Sequence, residues 1–296
     1  MDRGYLVNVF FFGLGFSSRA AALFLAAGEP KASISGTVRT PEKAAALASI
    51  TSQVHLFDGT GPGPTLGPDL RRASNVILSI APGAAGDPAL LQHRADLDAA
   101  KNLQWLCYYS TVGVYGDFGG NWIDESAPLV PRNERSDRRV LAEQAWRDYA
   151  AERGVPLTIL RLAGIYGPGR SAFDKLRDGS AHRIVKPGQV FNRIHVADIG
   201  RVTALAAQQR LDGTFNLADD EPAAPQDLVT HAAKLLGMAP PPAIDFDTAD
   251  LTPMQRSFYA DNKRVSNAAI KRALGIELLY PNYRTGLAAI LESEQP

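Results

Sequence analysis

Cysteine is almost missing: Cys107 is the single one in 296 residues. An internal disulfide is therefore excluded, and the apolar neighbours of Cys107 read it as an inert packing thiol. No His/Cys spacing of the zinc type occurs, and no Gly-x-Ser-x-Gly elbow points to a serine hydrolase. Net charge is missing as well, since 31 Lys and Arg balance 31 Asp and Glu. Nothing in that balance marks a nucleic acid or an anionic membrane as the partner. Long apolar runs are also lacking. The stretch from Tyr5 to Phe12 is interrupted by Asn8, falls well short of the roughly 20 residues of a bilayer span, and ends in glycines rather than at a cleavage site. These absences leave a cytoplasmic globular protein, monomer or homodimer, with a small-molecule substrate and with no nucleic acid and no membrane among its partners.

What is present repeats in a regular order. The Tyr5–Phe12 run reads as a buried strand. Arg19 to Ala27 is alanine-rich and helical, closed by Gly28 with Pro30 beyond it. Strands are expected at Ile34–Val38, Val54–Phe57, Asn75–Ile80, Trp105–Tyr109 and Leu157–Arg161. Between them, Thr40-Pro41-Glu42 opens a helix to about Ile50, and Asp87-Pro88 one to about Ala100. Val140, Leu141, Ala145 and Tyr149 mark a third across Ser136–Glu152, and the Gly/Pro segment at 59–64 reads as surface loop. Strands alternating with helices at this spacing predict an α/β fold, a Rossmann-type doubly wound parallel sheet, over 1–165. Residues 166–296 are expected to form a smaller C-terminal substrate lobe. Within it, an alanine-rich helix at Ile199–Gln208 and a strand at Thr214–Leu217 suggest that part of about 193–218 returns to the Rossmann core.

The first turn of this pattern carries chemistry. Gly13 and Gly15 directly after the first strand permit a tight turn and close approach of a pyrophosphate to the N-terminus of the next helix, where free N–H groups and the helix dipole favour an anion. Ser18 stands where the third glycine of G-x-G-x-x-G would be, so Phe16, Ser17 and Ser18 are expected to line the cofactor, with Ser18 equally suited to packing. Arg39 lies 24 residues past Gly15, at the end of the second strand. A basic residue there accommodates a 2′-phosphate, whereas an acid would bind a ribose hydroxyl. The expected cofactor is NADP, with NAD as the alternative and a solvated strand-end charge as the plainer reading of Arg39.

Three later motifs, Tyr109-Ser110-Thr111-Val112-Gly113-Val114-Tyr115-Gly116, Leu160-Arg161-Leu162-Ala163-Gly164-Ile165-Tyr166-Gly167-Pro168-Gly169 and Arg193-Ile194-His195-Val196-Ala197-Asp198, together resemble the extended short-chain dehydrogenase/reductase pattern, in its NAD-dependent epimerase/dehydratase branch. Arg264-Val265-Ser266-Asn267 and Leu274-Gly275 resemble its C-terminal part. The resemblance implies that Thr111 hydrogen-bonds the substrate oxygen, that Asp58 lies beside the adenine, that Ala81 and Pro82 run along the cofactor, and that Tyr166 is near nicotinamide or substrate. Thr111 also has a plainer reading, as a strand-end hydroxyl satisfying backbone groups, and His195 one as a structural side chain.

One departure from the family pattern bears directly on the chemistry. Counting back from Leu141-Ala142-Glu143-Gln144, the family's Tyr-x-x-x-Lys positions hold Arg135 and Arg139. Arginine keeps its proton at neutral pH, so Arg135 cannot be the general acid/base, whereas Arg139 can still donate to ribose hydroxyls. Four residues apart on a helix, the two arginines suit a carboxylate or phosphate of the substrate; the plainer reading is a solvated helix start. Thr111, Arg139 and Tyr166 are the expected catalytic set, with Arg135, Tyr166 and His195 toward the substrate and no metal. The expected activity is that of an NAD(P)-dependent oxidoreductase or epimerase/dehydratase-like enzyme on a small polar or anionic substrate. The alternative is a non-catalytic NADP(H)-binding sensor.

Overall fold

The computed structural model describes residues 8–47, 50–51 and 53–294. Seven strands form its main sheet: β1 (Asn8–Phe12), β2 (Ser33–Val38), β3 (Gln53–Leu56), β4 (Asn75–Leu78), β5 (Trp105–Thr111), β6 (Leu157–Leu162) and β7 (Gly213–Leu217), in the order β7-β6-β5-β4-β1-β2-β3. The pairings β1–β2, β2–β3, β1–β4 and β4–β5 are all parallel. The chain runs outward from β1 to β3, then returns to the other side of β1 for β4. That reversal opens a crevice at the carboxyl ends of β1 and β4, where α/β sheets take their ligands.

Alternation within the strands explains the core. Phe10 and Phe12 of β1, Val76 and Leu78 of β4, Leu106 and Tyr108 of β5, and Leu157 and Ile159 of β6 are pairs two residues apart. Each pair presents one face of the pleat to a single cluster with Phe57, Leu66 and Trp146. Six of the helices are α1 (Phe16–Gly28), α2 (Pro41–Ala45), α3 (Gly67–Arg72), α4 (Pro88–Asp98), α5 (Glu134–Arg153) and α6 (Val196–Gln209). Asn133 caps α5 by accepting from the Ser136 N–H, and Gly154 closes it in the left-handed region at φ 62°. Helices α1 and α6 pack closely: a Cβ on Gly200 would lie 2.8 Å from Ala20 backbone atoms.

Two compact units divide the chain. One comprises the residues up to Val114, Asn133–Arg161 and Ile199–Phe215; the other comprises Tyr115–Arg132, Leu162–Asp198 and the chain from Asn216 onward. Segment 115–132, read from sequence with the dinucleotide-binding part, is grouped in the second unit. There Asp117 accepts from the Asn262 N–H, while the Phe118 and Gly120 N–H groups donate to the Asn262 carbonyl. Short parallel pairs build the second unit, among them Gly164–Tyr166 with Arg193–His195 and Ala243–Asp245 with Arg183–Val185. Its main core gathers Tyr166, Phe173, Leu176, Tyr283, Leu287 and Ile290.

The elements differ from expectation mostly at their ends. Helix α1 begins three residues early, at Phe16. Helix α2 stops at Ala45 rather than near Ile50, and none of its residues is buried, so no packing extends it. Helix α3 has no counterpart among the expected elements, because the Gly67-Pro68 that opens it looks like a continuation of the Gly/Pro loop before it. Tyr5–Val7 lie outside the described residues. Among the described residues no helix is long and apolar enough to cross a membrane.

Candidate functional site

The turn after β1 is held open by its glycines. Gly13 has φ +93°, and a Cβ there would meet Ile80 Cγ2 at 2.9 Å, so both backbone and space require glycine. Its N–H donates to Thr37 Oγ1 at 2.9 Å and the Leu14 N–H to the Thr37 carbonyl at 2.8 Å, which ties the turn to the end of β2. Gly15 is the N-cap of α1, with φ −84° and no side-chain cap. A Cβ at Gly15 would meet nothing within 4 Å. No side chain caps the first turn of α1 and the space beside Gly15 is open, features that suit a phosphate at a helix N-terminus. Ser17 and Ser18 are buried in that turn, and Ser18 Oγ makes no hydrogen bond among the described residues; Phe16 is half-buried.

Arg39 is exposed immediately beyond β2. Asp58, just past β3, is exposed too, and its Oδ1 accepts from the Thr60 N–H (2.9 Å) and hydroxyl (2.8 Å), which hold the carboxyl below its ordinary pKa. Ala81 and Pro82 follow β4 and lead into a tight turn in which Gly83 and Gly86 exchange backbone hydrogen bonds. Gly13, Gly15, Arg39, Asp58, Ala81 and Pro82 therefore all stand at the carboxyl ends of β1 to β4.

At the end of β5, Thr111 Oγ1 accepts from the Gly113 N–H at 3.1 Å, which fixes the hydroxyl while leaving its proton to donate. Arg139 of α5 reaches the same end of the sheet. Its Nη1 donates to the Tyr109 carbonyl (2.7 Å) and the Tyr108 hydroxyl (3.0 Å), with the Ile80 carbonyl at 3.4 Å. The arginine that replaces the expected lysine is thus half-buried and pins β4 to β5. Asp87, buried at the N-cap of α4, accepts from the Ala89 N–H at 3.0 Å; burial pushes its carboxyl upward, and Arg139 acts in the opposite direction. Burial also raises the Tyr108 phenol. Arg135 is exposed, and Arg138 pairs with Glu134 at 3.0 Å. The three arginines consequently do not converge: Arg139 turns inward while Arg135 and Arg138 remain toward the outside.

Tyr166 and His195 belong to the second unit. Tyr166 is buried, its hydroxyl donates to the Asn282 carbonyl at 3.4 Å, and burial drives its phenol well above the ordinary range. His195 Nδ1 accepts from the Ala197 N–H at 3.2 Å, capping α6, and its ring lies edge-on to Tyr166 at 5.2 Å and against Tyr280 at 4.1 Å. Burial pushes the imidazole down to about 4, so it is neutral near pH 7.

Residues 93–218, which include β5, α5, β6, α6 and β7, match the family model for the NAD dependent epimerase/dehydratase family. In that stretch the chain is similar to the NAD dependent epimerase/dehydratase family. The fold agrees with that of a functionally unknown conserved protein from Silicibacter pomeroyi DSS, 44% identical, with 97% of this chain and 98% of that one aligned and a TM-score of 0.87. UDP-glucuronic acid 4-epimerase from Bacillus cereus, solved in complex with NAD, shares the fold at 16% identity, 97% and 100% coverage and a TM-score of 0.73. Among curated relatives, a 3-diazoavenalumate denitrifying reductase from a Streptomyces species is 27% identical over 143 residues, 44% of this chain and 45% of that protein. The chain spans less than two thirds of the length of the curated relatives it matches.

Two structural supports at this end of the sheet were missed in the sequence. Thr37 is one, an internal threonine in a strand with no local signal of its contact to Gly13. The other is a buried ion pair: Arg161 donates to Glu143 through Nε (3.1 Å) and Nη2 (2.7 Å), and the Ser110 hydroxyl donates to Glu143 Oε1 at 2.6 Å. Both charged residues are at most 3% exposed. A lone arginine inside the apolar strand Leu157-Thr158-Ile159-Leu160-Arg161-Leu162 was the available signal, because a buried charge requires a partner.

Proposed function

We propose that the chain is an NADP(H)-dependent oxidoreductase or epimerase-like enzyme with a non-standard active site, acting on a small polar, anionic substrate. The observation that carries this reading is the glycine turn at the start of α1, with Gly13 at φ +93°, no side-chain cap at Gly15 and open space beside Gly15. The turn suits a pyrophosphate, and exposed Arg39 at the end of β2 suits a 2′-phosphate better than a bare ribose. The cofactor would supply a hydride donor or acceptor. Thr111, with its oxygen already occupied by the Gly113 N–H, offers its proton to the reacting oxygen of the substrate. Arg139 binds the fold through Nη1, and its Nη2 and Nε make none of those bonds, which suits them to a ribose hydroxyl or a substrate oxygen. Arg135, exposed on the same helix, suits the substrate's anionic group. Tyr166 and His195 receive structural roles, since one phenol is buried against a backbone carbonyl and the imidazole caps α6.

The test is NADPH oxidation across a panel of small aldehydes and ketones bearing carboxylate or phosphate groups. Turnover by the wild type is expected, with Thr111→Val reducing it about 100-fold and Thr111→Ser retaining most of it. Arginines at the positions of the family's acid/base pair also favour a sensor without catalysis, for which the result would be tight NADPH binding and no turnover of any panel member. An unchanged rate in Thr111→Val would move the active site elsewhere.

A further inference from the structure

Two histidines in the first unit have no part in that chemistry, yet both are buried and both are aimed at the same loop. His55 on β3 and His93 on α4 are each 2% exposed. Their rings pack on the β1 phenylalanines, His55 stacked on Phe10 at 6.2 Å and His93 against Phe12 at 5.8 Å. Behind each ring stands a carboxylate, and behind each carboxylate an arginine of α3. His55 Nε2 contacts Asp69 Oδ2 at 2.7 Å and Arg72 pairs with Asp69; His93 Nδ1 contacts Asp96 Oδ2 at 3.0 Å and Arg71 pairs with Asp96.

The free side of each ring holds the segment after β3. His55 Nδ1 lies 2.9 Å from Thr65 Oγ1, and His93 Nε2 accepts from the Gly63 N–H at 3.2 Å. Because Nε2 accepts, the His93 proton sits on Nδ1 and is donated to Asp96, so the carboxylate selects the tautomer that the loop needs. Helix α4 departs from regular backbone at this residue: His93 has φ −128° and ψ 17° inside it. Gly63 itself tolerates no side chain, since a Cβ would come 2.9 Å from the Leu56 carbonyl and 2.5 Å from Leu66 Cδ2. A segment containing Gly59, Gly61 and Gly63 would otherwise have many conformations in the free protein.

We propose that His93, supported by Asp96 and Arg71, is a positioning residue for the adenylate half of the dinucleotide, holding the Asp58–Leu66 segment as the wall beside β3. This rests on the reading of the first unit as a dinucleotide site. In a sheet of this order the pyrophosphate lies at α1 and the adenosine ribose at the end of β2, so the next surface outward is the segment leaving β3. His93 touches no part of the cofactor and acts by sparing the loop its ordering cost on binding.

The experiment measures ADP and reduced nicotinamide mononucleotide separately by calorimetry, on the wild type, His93→Asn and His93→Gln. Asparagine retains a polar group at the Nδ1 position for Asp96 and loses the acceptor for Gly63; glutamine carries an acceptor at the Nε2 position. His93→Asn is expected to weaken ADP about ten-fold, and His93→Gln to stay within about three-fold of wild type. The mononucleotide should change by less than about two-fold in either variant. A purely structural role would weaken both halves alike, and that result, or unchanged ADP binding in His93→Asn, overturns the proposal. Amide exchange on the unaltered protein gives a second reading: the Gly63 N–H should be protected without ligand, and rapid exchange there also overturns it. If the wild type binds neither half, the dinucleotide reading fails and this proposal with it, whereas normal wild-type binding with an indifferent His93→Asn sinks this proposal alone.

Discussion

Replacing Gly15 with alanine should separate binding from folding. At φ −84° the backbone accepts any residue, and the added Cβ would meet nothing within 4 Å. Alanine is a poorer N-cap than glycine by about 0.5–1 kcal/mol, and the stiffer unfolded chain returns about 0.4–1 kcal/mol. The melting temperature of a chain this size should therefore move by roughly 1 °C or less. On the proposed placement of the pyrophosphate the methyl group crowds the phosphate, and losing its charge-assisted hydrogen bonds costs about 1.5–3 kcal/mol, or about 10–100-fold in NADPH affinity. Gly13→Ala supplies the contrast. It forces a Cβ into φ +93° and within 2.9 Å of Ile80 Cγ2, so stability should fall by about 1–3 kcal/mol along with binding. Thermal melting and calorimetry on both variants measure the two effects. Wild-type NADPH affinity in Gly15→Ala, at an unchanged melting temperature, would refute the placement of the pyrophosphate.

Three further outcomes rest on the same geometry. Glu143→Ala removes the buried carboxylate partner of Arg161 and should cost about 3–5 kcal/mol by denaturant titration, while Glu143→Met with Arg161→Leu should recover most of that. Arg39→Ala should lower NADPH affinity about ten-fold and leave NADH within about two-fold, measured by calorimetry; equal losses for both would assign Arg39 another task. His195 is buried neutral, with its pKa depressed to about 4, so the unfolded chain takes up a proton first as pH falls. Its contribution is complete above the unfolded value of about 6.5 and is lost toward 4, by up to roughly 3 kcal/mol. His195→Asn, which retains an acceptor for the Ala197 N–H, should flatten that part of the stability profile relative to wild type.

The sheet was legible because its strands are short apolar runs separated by helix caps, and a parallel sheet buried on both faces requires that pattern. The turn at Gly13 was legible for a related reason: it follows from a missing side chain, which a sequence records directly, and the residue stands at φ +93°. The roles of Arg135 and Arg139 were not. Helical spacing places them on one side of α5, but whether an arginine turns toward solvent or into the sheet depends on acceptors such as the Tyr109 and Ile80 carbonyls, which local pattern does not reveal. Tyr166 shows the same limit from the other direction. Its motif suggested reactivity, whereas its environment is set by Asn282 and by Gly286, where a Cβ would overlap the phenol oxygen. Both partners lie more than a hundred residues downstream.

The contact between Gly200 and Ala20 sets an order of events during synthesis. Helix α1 leaves the ribosome well before its cover, since the helix that covers it and the strand β7 that completes the sheet end only at Gln209 and Leu217. At about 5–20 residues per second, that interval is roughly ten to forty seconds. For that time the small-residue flank of α1 has no cover, and the nascent chain presents an unfinished sheet to chaperones. A bulkier residue at position 200 would reveal itself first as poor yield of newly made protein, before any defect in cofactor binding could be measured.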